Sequence, residues 1–448
     1  MLFKRLRSGG KILVDHLVYG LGLGILTILR LLPRSSLRLF GKGVGTIIFY
    51  IISDFRKTAL TNLALAFPEK SFAERYRIAL QSVQQVIITF VELATVDKFS
   101  KHIDDIITIA TSEDSPEGFF PEEVSSKQEL EHLFAHLDQQ KGAILFCGHQ
   151  ANWELPFLYI TKRYPGLAFA KPVKNSRLNK KIISLRESFQ GRIVPPQNAI
   201  NQALRALHKG EVVGIVGDQV LLSSQYSYPL FGSQAFTTTS PALLAYKTKK
   251  PVIAVVIYRQ PNGNYLVVPS KAFYANQELS IRESTEQLMD QLMRFLEKGI
   301  ACKPEQWLWL HKRWKRKLRH KFKRCYAFSH ILVVVKGDAL NSLQKFLTEF
   351  AEFYANASLS LAIIGALDSV PEGSLSPYSL QFLSSEEELL VKPNFFPAVL
   401  DLFGLSRRTR RHYKKTGSRK IFSKNRLKAS LSQEELLTQS LRKLLRKA

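Results

Sequence analysis

Short, continuous apolar runs recur along the chain and limit the folds open to it. They lie at 143–147, 212–216, 252–257, 331–335 and 359–364. Each is too short for an ordinary helix and apolar almost throughout, so each reads as a buried strand. A further short strand is expected at 167–170, and another at 265–268 after a Pro-Asn-Gly turn. Helical patterns separate them. Residues 177–189 place Ile182, Ile183, Leu185 and Phe189 on an apolar face, 198–208 stop at Lys209-Gly210, and 339–354 follow the fourth run. Upstream, 78–99 reads as an amphipathic helix and 111–126 as a polar loop. This alternation predicts an α/β layered fold built on a central sheet.

The 448 residues suffice for a large buried core, and the 45% apolar share is that of a globular protein. Charge is the outlier, with 64 Lys plus Arg against 37 Asp plus Glu, or +27. Such an excess points to nucleic acid, an anionic membrane or acidic protein partners. Its distribution discriminates among them. Residues 1–57 hold 10 basic and 2 acidic side chains, 303–324 hold 10 and 1, and 407–448 hold 15 and 2, leaving the remainder slightly acidic. Uniform coating by nucleic acid is disfavoured, and no nucleic-acid reading module is recognisable. Cys147, Cys302 and Cys325 are too few and too scattered for a disulfide framework or a zinc site, which fits a reducing compartment.

The first basic block flanks an apolar run at 17–29, with Lys4, Arg5, Arg7 and Lys11 before it and Arg30, Arg34 and Arg38 after it. A secretory signal would share the charged start, but Leu31-Leu32-Pro33-Arg34 is a poor cleavage site. The run is shorter than the roughly 20 residues of a spanning helix, and a second apolar stretch follows at 44–52. Arginines on both sides leave orientation open. An interfacial or re-entrant anchor with basic residues on anionic headgroups fits best, a buried core helix being the other reading. The expected organisation is a membrane-associated segment 1–57, a main domain 58–324, a small α/β unit 325–406 and a basic helical tail 407–448.

The chemistry-bearing segment is Cys147-Gly-His-Gln-Ala-Asn-Trp-Glu-Leu-Pro156, where a strand runs into His149. Imidazole can take a proton from a hydroxyl at neutral pH, and a carboxylate on its other nitrogen fixes the tautomer. Glu154 is the nearest carboxylate in sequence, though an irregular turn is needed to pair it with His149. The bland alternative is a histidine at a strand end and a solvated glutamate. Cys147 as a nucleophile is the rival, but its place on the same strand as the base suits a core thiol better. Asn152 and Trp153 read as a turn residue and an aromatic packed beneath the histidine. Downstream, 161–192 carry nine Lys or Arg against Glu187 alone, with Lys174, Arg177 and Lys181 spaced for one helix face. That is a solvated face or a phosphate-binding one, and Arg186 is a candidate for oxyanion stabilisation. Gly217-Asp218-Gln219 ends the next buried strand at the same sheet edge, and 229–240 suits enclosure of an acyl chain or a simple turn.

These segments together resemble the bacterial lipid A late acyltransferases (lauroyl or myristoyl transferases) within the wider glycerolipid acyltransferase group. The similarity spans roughly residues 10–320. It is carried by His149 and Glu154 in Gly-His-Gln-Ala-Asn-Trp-Glu, Lys-Pro-Val-Lys-Asn at 171–175, Arg186 and Gly-Asp-Gln at 217–219. Further carriers are Pro-Leu-Phe-Gly and Ala-Phe-Thr-Thr-Thr within 229–239, and Pro-Glu-Gln-Trp-Leu-Trp-Leu-His-Lys-Arg-Trp at 304–314. The resemblance implies a central mixed sheet flanked by helices, an N-terminal membrane-anchoring helix and an enzyme at the cytoplasmic face of the bacterial inner membrane. It implies acyl transfer from acyl carrier protein to a hydroxyl of a Kdo-bearing lipid A precursor, with no metal or other cofactor and no nucleic acid. His149 would be general base, Glu154 its orienting group, Arg186 the contact to the thioester oxygen and Asp218 a support. Lys171, Lys174, Asn175 and Gln219 would join Asp218 in binding substrate. Ala170-Lys171 departs from the family's aromatic-Arg pair, keeping charge but losing the bidentate fork. Acylation of a glycerophosphate or another glycolipid, and a non-catalytic basic membrane-peripheral protein, are the alternatives. The unit after about 325 has no counterpart in the family pattern.

Overall fold

The apolar run at 143–147 is the middle strand of a seven-stranded sheet. The computed structural model describes Gly20, Gly24 and residues 27–98, 102–173, 175–314, 330–354, 357–366, 375–391, 396–416, 418 and 420–423. Most of the apolar run at 17–29, Lys174, the basic stretch 315–324 and the tail beyond 423 lie outside the described residues. The chain forms two units, one of residues 1–51, 80–219 and 238–308, the other of 52–79, 220–237 and 309–448.

In chain order the strands are β1 (Ile107–Ile109), β2 (Ala143–Cys147), β3 (Gly166–Phe169), β4 (Gly191–Val194), β5 (Val212–Val216), β6 (Ser227–Leu230), β7 (Ser233–Phe236), β8 (Val252–Arg259) and β9 (Tyr265–Pro269). The sheet of the first unit has the order β1-β9-β8-β2-β5-β3-β4. Its pairings are parallel except β8 with β9, so the sheet is mixed. β2 is paired along both edges, by β8 and β5, and its sequence does not alternate in polarity because side chains on both of its faces are out of solvent. Ile144, Phe146, Val212, Val213 and Val252 are fully buried. The helix Ile281–Cys302, started by a Ser280–Glu283 capping box, is anchored to β8 by a Tyr258 hydroxyl donating to the Gly299 carbonyl at 2.9 Å.

The helix Arg34–Ile51 buries Leu37, Gly41, Gly45 and Phe49, one residue in every four. Gly45 is required by close approach, because a Cβ there would lie 2.6 Å from Gln84 Cα on the helix Phe72–Ala94. The opposite face of Arg34–Ile51 exposes Leu39, Phe40, Ile47, Tyr50 and Ile51. Among the described residues no single helix is long and apolar enough to cross a membrane.

In the second unit, β6 and β7 form an antiparallel hairpin where sequence suggested a loop. Buried Arg313 donates to the Phe236 carbonyl at 2.6 Å, and the Trp314 indole donates to the Ser233 carbonyl at 3.0 Å. The same unit contains β10 (His330–Lys336), β11 (Ser358–Ile364), β12 (Tyr378–Leu383), β13 (Ala398–Asp401) and β14 (Lys420–Ser423). They make an all-parallel sheet of order β12-β11-β10-β13-β14, with apolar clusters on both faces. This doubly wound sheet does not stop at 406. β14 pairs with β13, and Asp401 accepts the Gly404 and Leu405 N–H groups just before the helix Arg407–Thr416.

Candidate active site

His149 and Asp218 meet because their strands are neighbours. β2 and β5 pair with Cys147 opposite Val216, and the Gly217 N–H donates to the Cys147 carbonyl at 3.0 Å. Two residues further along each strand, His149 faces Asp218 at the carboxyl edge of the sheet, where α/β folds collect ligands. Gly148 permits this, since a Cβ there would sit 3.0 Å from Asp218 Oδ2 and 2.8 Å from Leu296 Cδ1.

The imidazole Nδ1 lies 2.5 Å from Asp218 Oδ1. The His149 main-chain N–H donates to Oδ2 at 2.8 Å, and the Trp307 indole donates to the same oxygen at 2.7 Å. Burial of Asp218 by itself would raise its pKa. The charge of His149 and the hydrogen bonds from its ring, its N–H and Trp307 outweigh burial and hold the carboxyl well below the usual carboxylate range. An ionised carboxylate only accepts, so this network puts the proton of a neutral imidazole on Nδ1 and leaves Nε2 as the acceptor. Gln219 Nε2 lies 3.3 Å from that nitrogen, and the Trp153 ring centre is 5.0 Å from the imidazole.

The carboxylate on Nδ1 is therefore Asp218 and not Glu154, which corrects the role expected of Glu154. The turn between His149 and Glu154 is irregular, with Ala151 at φ +42°, its N–H on the Gln306 carbonyl at 2.7 Å. It does not bring the glutamate back to the histidine. Glu154 already has helical dihedrals ahead of the helix Leu155–Thr161, and its carboxylate meets Arg186 from the end of the helix Ser176–Arg186. Arg186 Nε and Nη2 reach the two Glu154 oxygens at 2.9 and 2.5 Å, a bidentate fork.

His149, Trp153, Glu154, Lys171, Arg186 and Gln219 line a cavity of about 320 Å³ whose remaining wall is largely apolar, including Phe157, Phe169 and Val255. Lys171 is exposed at its edge. Asn175 is not brought to this cavity: its side chain accepts the Leu178 N–H at 3.0 Å as the N-cap of Ser176–Arg186. Lys174 lies outside the described residues.

Cys147 also touches the cavity, but burial, reinforced by the Asp218 and Glu154 charges, pushes its thiol far above its ordinary pKa. A thiol kept protonated is neither nucleophile nor base. Cys147→Ala is expected to retain acyl transfer within a few-fold, measured on purified full-length protein. A loss on the scale expected for His149 would restore the thiol mechanism.

Sequence reasoning missed the group that holds the His149 turn from behind. Buried Glu92 receives Arg259 Nη2 at 2.7 Å and Asn152 Nδ2 at 3.0 Å, and the Tyr265 hydroxyl also donates to it. Thr89 donates to the Ala151 carbonyl at 2.5 Å. Two buried charges stay only when paired and hydrogen-bonded. A glutamate among the apolar positions of an amphipathic helix was the available signal. Trp307 belonged to a recognised block, but nothing in that block tied its indole to Asp218.

The chain matches the family model described as bacterial lipid A biosynthesis acyltransferase over residues 7–316. It is 25% identical over 315 residues to a lipid A biosynthesis lauroyltransferase of Escherichia coli (strain K12), covering 66% of this chain and 90% of that protein. A lipid A biosynthesis palmitoleoyltransferase of the same organism is 22% identical over 303 residues, with the same coverage of 66% and 90%. A phosphatidylinositol mannoside acyltransferase of Mycolicibacterium smegmatis is 23% identical over 192 residues, covering 42% of this chain and 61% of that protein.

Proposed function

Because this chain belongs to the bacterial lipid A biosynthesis acyltransferases, we propose that it acylates a hydroxyl of a Kdo-bearing lipid A precursor, using acyl carrier protein as donor. The observation that carries the reading is His149, held by Asp218, in the lining of a largely apolar cavity. In this scheme His149 Nε2 takes the proton of the acceptor hydroxyl as its oxygen attacks the thioester carbonyl. The tetrahedral intermediate collapses with loss of the carrier thiolate, which receives the proton from His149. Asp218 keeps the imidazole in the right tautomer and stabilises its charged form. Arg186 is aimed by Glu154, and its Nη1, without a hydrogen bond among the described residues, supports a contact to the developing oxyanion. The apolar wall suits an acyl chain.

The proposed location is the cytoplasmic face of the bacterial inner membrane. The basic blocks, which suit anionic lipid and an acidic carrier, support it together with the exposed apolar face of Arg34–Ile51. A second reading, acylation of a different glycolipid, draws on the likeness to a phosphatidylinositol mannoside acyltransferase. Mass spectrometry of lipids from cells with and without the protein tests both. Lipid A lacking one secondary acyl chain in its absence is the expected result. Intact lipid A with another glycolipid underacylated would favour the second reading, and no change in either class would overturn the proposal.

A further inference from the structure

The first unit holds a second cavity, of about 1090 Å³, apart from the one at His149. Its walls come from the helix Arg34–Ile51, the helix Phe72–Ala94, the turn after β8 and the C-terminal end of Ile281–Cys302. Two of its cations are already neutralised, Arg259 by Glu92 at 2.7 Å and Lys298 by Glu123 at 2.5 Å. Arg38, Lys42 and Lys303 also line it and make no ion pair among the described residues. Two carboxylates, Glu117 and Glu305, share the lining. A wall with free cations and free carboxylates suits a ligand that carries both phosphate and hydroxyl groups.

The helix beside this cavity indicates where such a ligand comes from. Arg38 and Lys42 are four residues apart and lie on one side of Arg34–Ile51. At 3.6 residues per turn they fall between the buried line Leu37, Gly41, Gly45, Phe49 and the outward apolar face. On that outward face Leu39 is 72%, Ile47 58% and Ile51 75% exposed. A helix with one face on the protein, one apolar face outward and cations along the border has the layout of an interfacial helix. Its border lies at headgroup depth.

We propose that this cavity binds the phosphate-bearing, hydroxylated headgroup of a membrane lipid. Arg38, Lys42 and Lys303 take the phosphate, Glu117 and Glu305 accept from hydroxyl groups, and the outward face of Arg34–Ile51 rests among the acyl chains. The site is distinct from the one at His149, because the two cavities share no lining residue. The inference does not depend on the transfer chemistry.

Full-length protein is floated with vesicles of phosphatidylcholine doped with phosphatidylglycerol, or doped with oleate to the same surface potential. Wild type is expected to prefer phosphatidylglycerol. Arg38→Ala/Lys42→Ala is expected to bind those vesicles about 30-fold more weakly, at roughly 1 kcal/mol per cation, and to lose the preference. Lys127→Ala/Lys141→Ala, which removes two exposed cations elsewhere in the unit, is expected to keep it. Lys303→Ala provides a second probe if the first pair unfolds the protein, judged by thermal melting. Equal behaviour of the two double variants, or no preference in wild type, overturns the proposal. So does binding of inorganic phosphate in vesicle-free solution that is lost in Arg38→Ala/Lys42→Ala while vesicle preference is unchanged. His149→Ala is expected to keep the preference, so failure of the catalytic reading would leave this one standing.

Discussion

Replacing His149 by alanine is expected to lower acyl transfer about 10³-fold, a loss of about 4 kcal/mol of transition-state stabilisation. Among the described residues lining the cavity, His149 is the one imidazole, and a carboxylate holds it by Nδ1 so that Nε2 is the nitrogen left to serve the acceptor hydroxyl. Glu154 cannot replace it, because both its oxygens are occupied by Arg186. Purified protein, labelled acyl carrier protein and a lipid A precursor give the rate. A melting curve shows whether the variant is folded. Folded His149→Ala with wild-type transfer would remove the histidine from the mechanism.

Asp218→Asn should approach the same loss, about 10²- to 10⁴-fold, with almost no change in side-chain volume. An amide can present its NH₂ to Nδ1, which drives the imidazole proton onto Nε2 and removes the lone pair that the acceptor hydroxyl needs. The variant should also be less stable. The amide carbonyl can still accept from the His149 N–H and the Trp307 indole, which converge on one oxygen, but these bonds and the one to Nδ1 lose their charge assistance. The pH dependence has a definite sign. Asp218 has a depressed pKa in the folded protein, so its contribution to stability is present above about pH 4, the unfolded value, and falls away as pH drops toward the folded value. Urea midpoints measured against pH should fall less steeply on the acid side for Asp218→Asn than for wild type. A variant with wild-type turnover and an unchanged acid limb would leave Asp218 without the role assigned to it.

Legibility in the sequence followed physical completeness. β2, β5, β8, β10 and β11 are readable because each is a short, almost wholly apolar run with side chains buried on both faces. β4 and β13 do not stand out, since Gly191 and Arg192 leave β4 two apolar residues and Asp401 ends β13 after three. The β6–β7 hairpin reads as a loop because Pro229, Gly232 and the polar residues around them carry little strand propensity. It forms through cross-strand pairing, and local preference contributes little.

The same division runs through the site. His149, Glu154, Arg186 and Asp218 were each singled out from local sequence, since each stands at the end of an apolar run, in a turn or in a basic helix. Their partnerships were misjudged because proximity in sequence favoured the carboxylate five residues from the histidine, whereas Asp218 is 69 residues away. The sequence by itself determined that this chain builds an α/β sheet with a histidine and two carboxylates at its carboxyl edge, because strand ends and their flanking residues are local. Only the tertiary structure decided which carboxylate serves which cation. The register of β2 against β5 sets Asp218 onto the imidazole, and the start of Leu155–Thr161 turns Glu154 toward Arg186. Strand adjacency is a property of the whole sheet, written in no single segment.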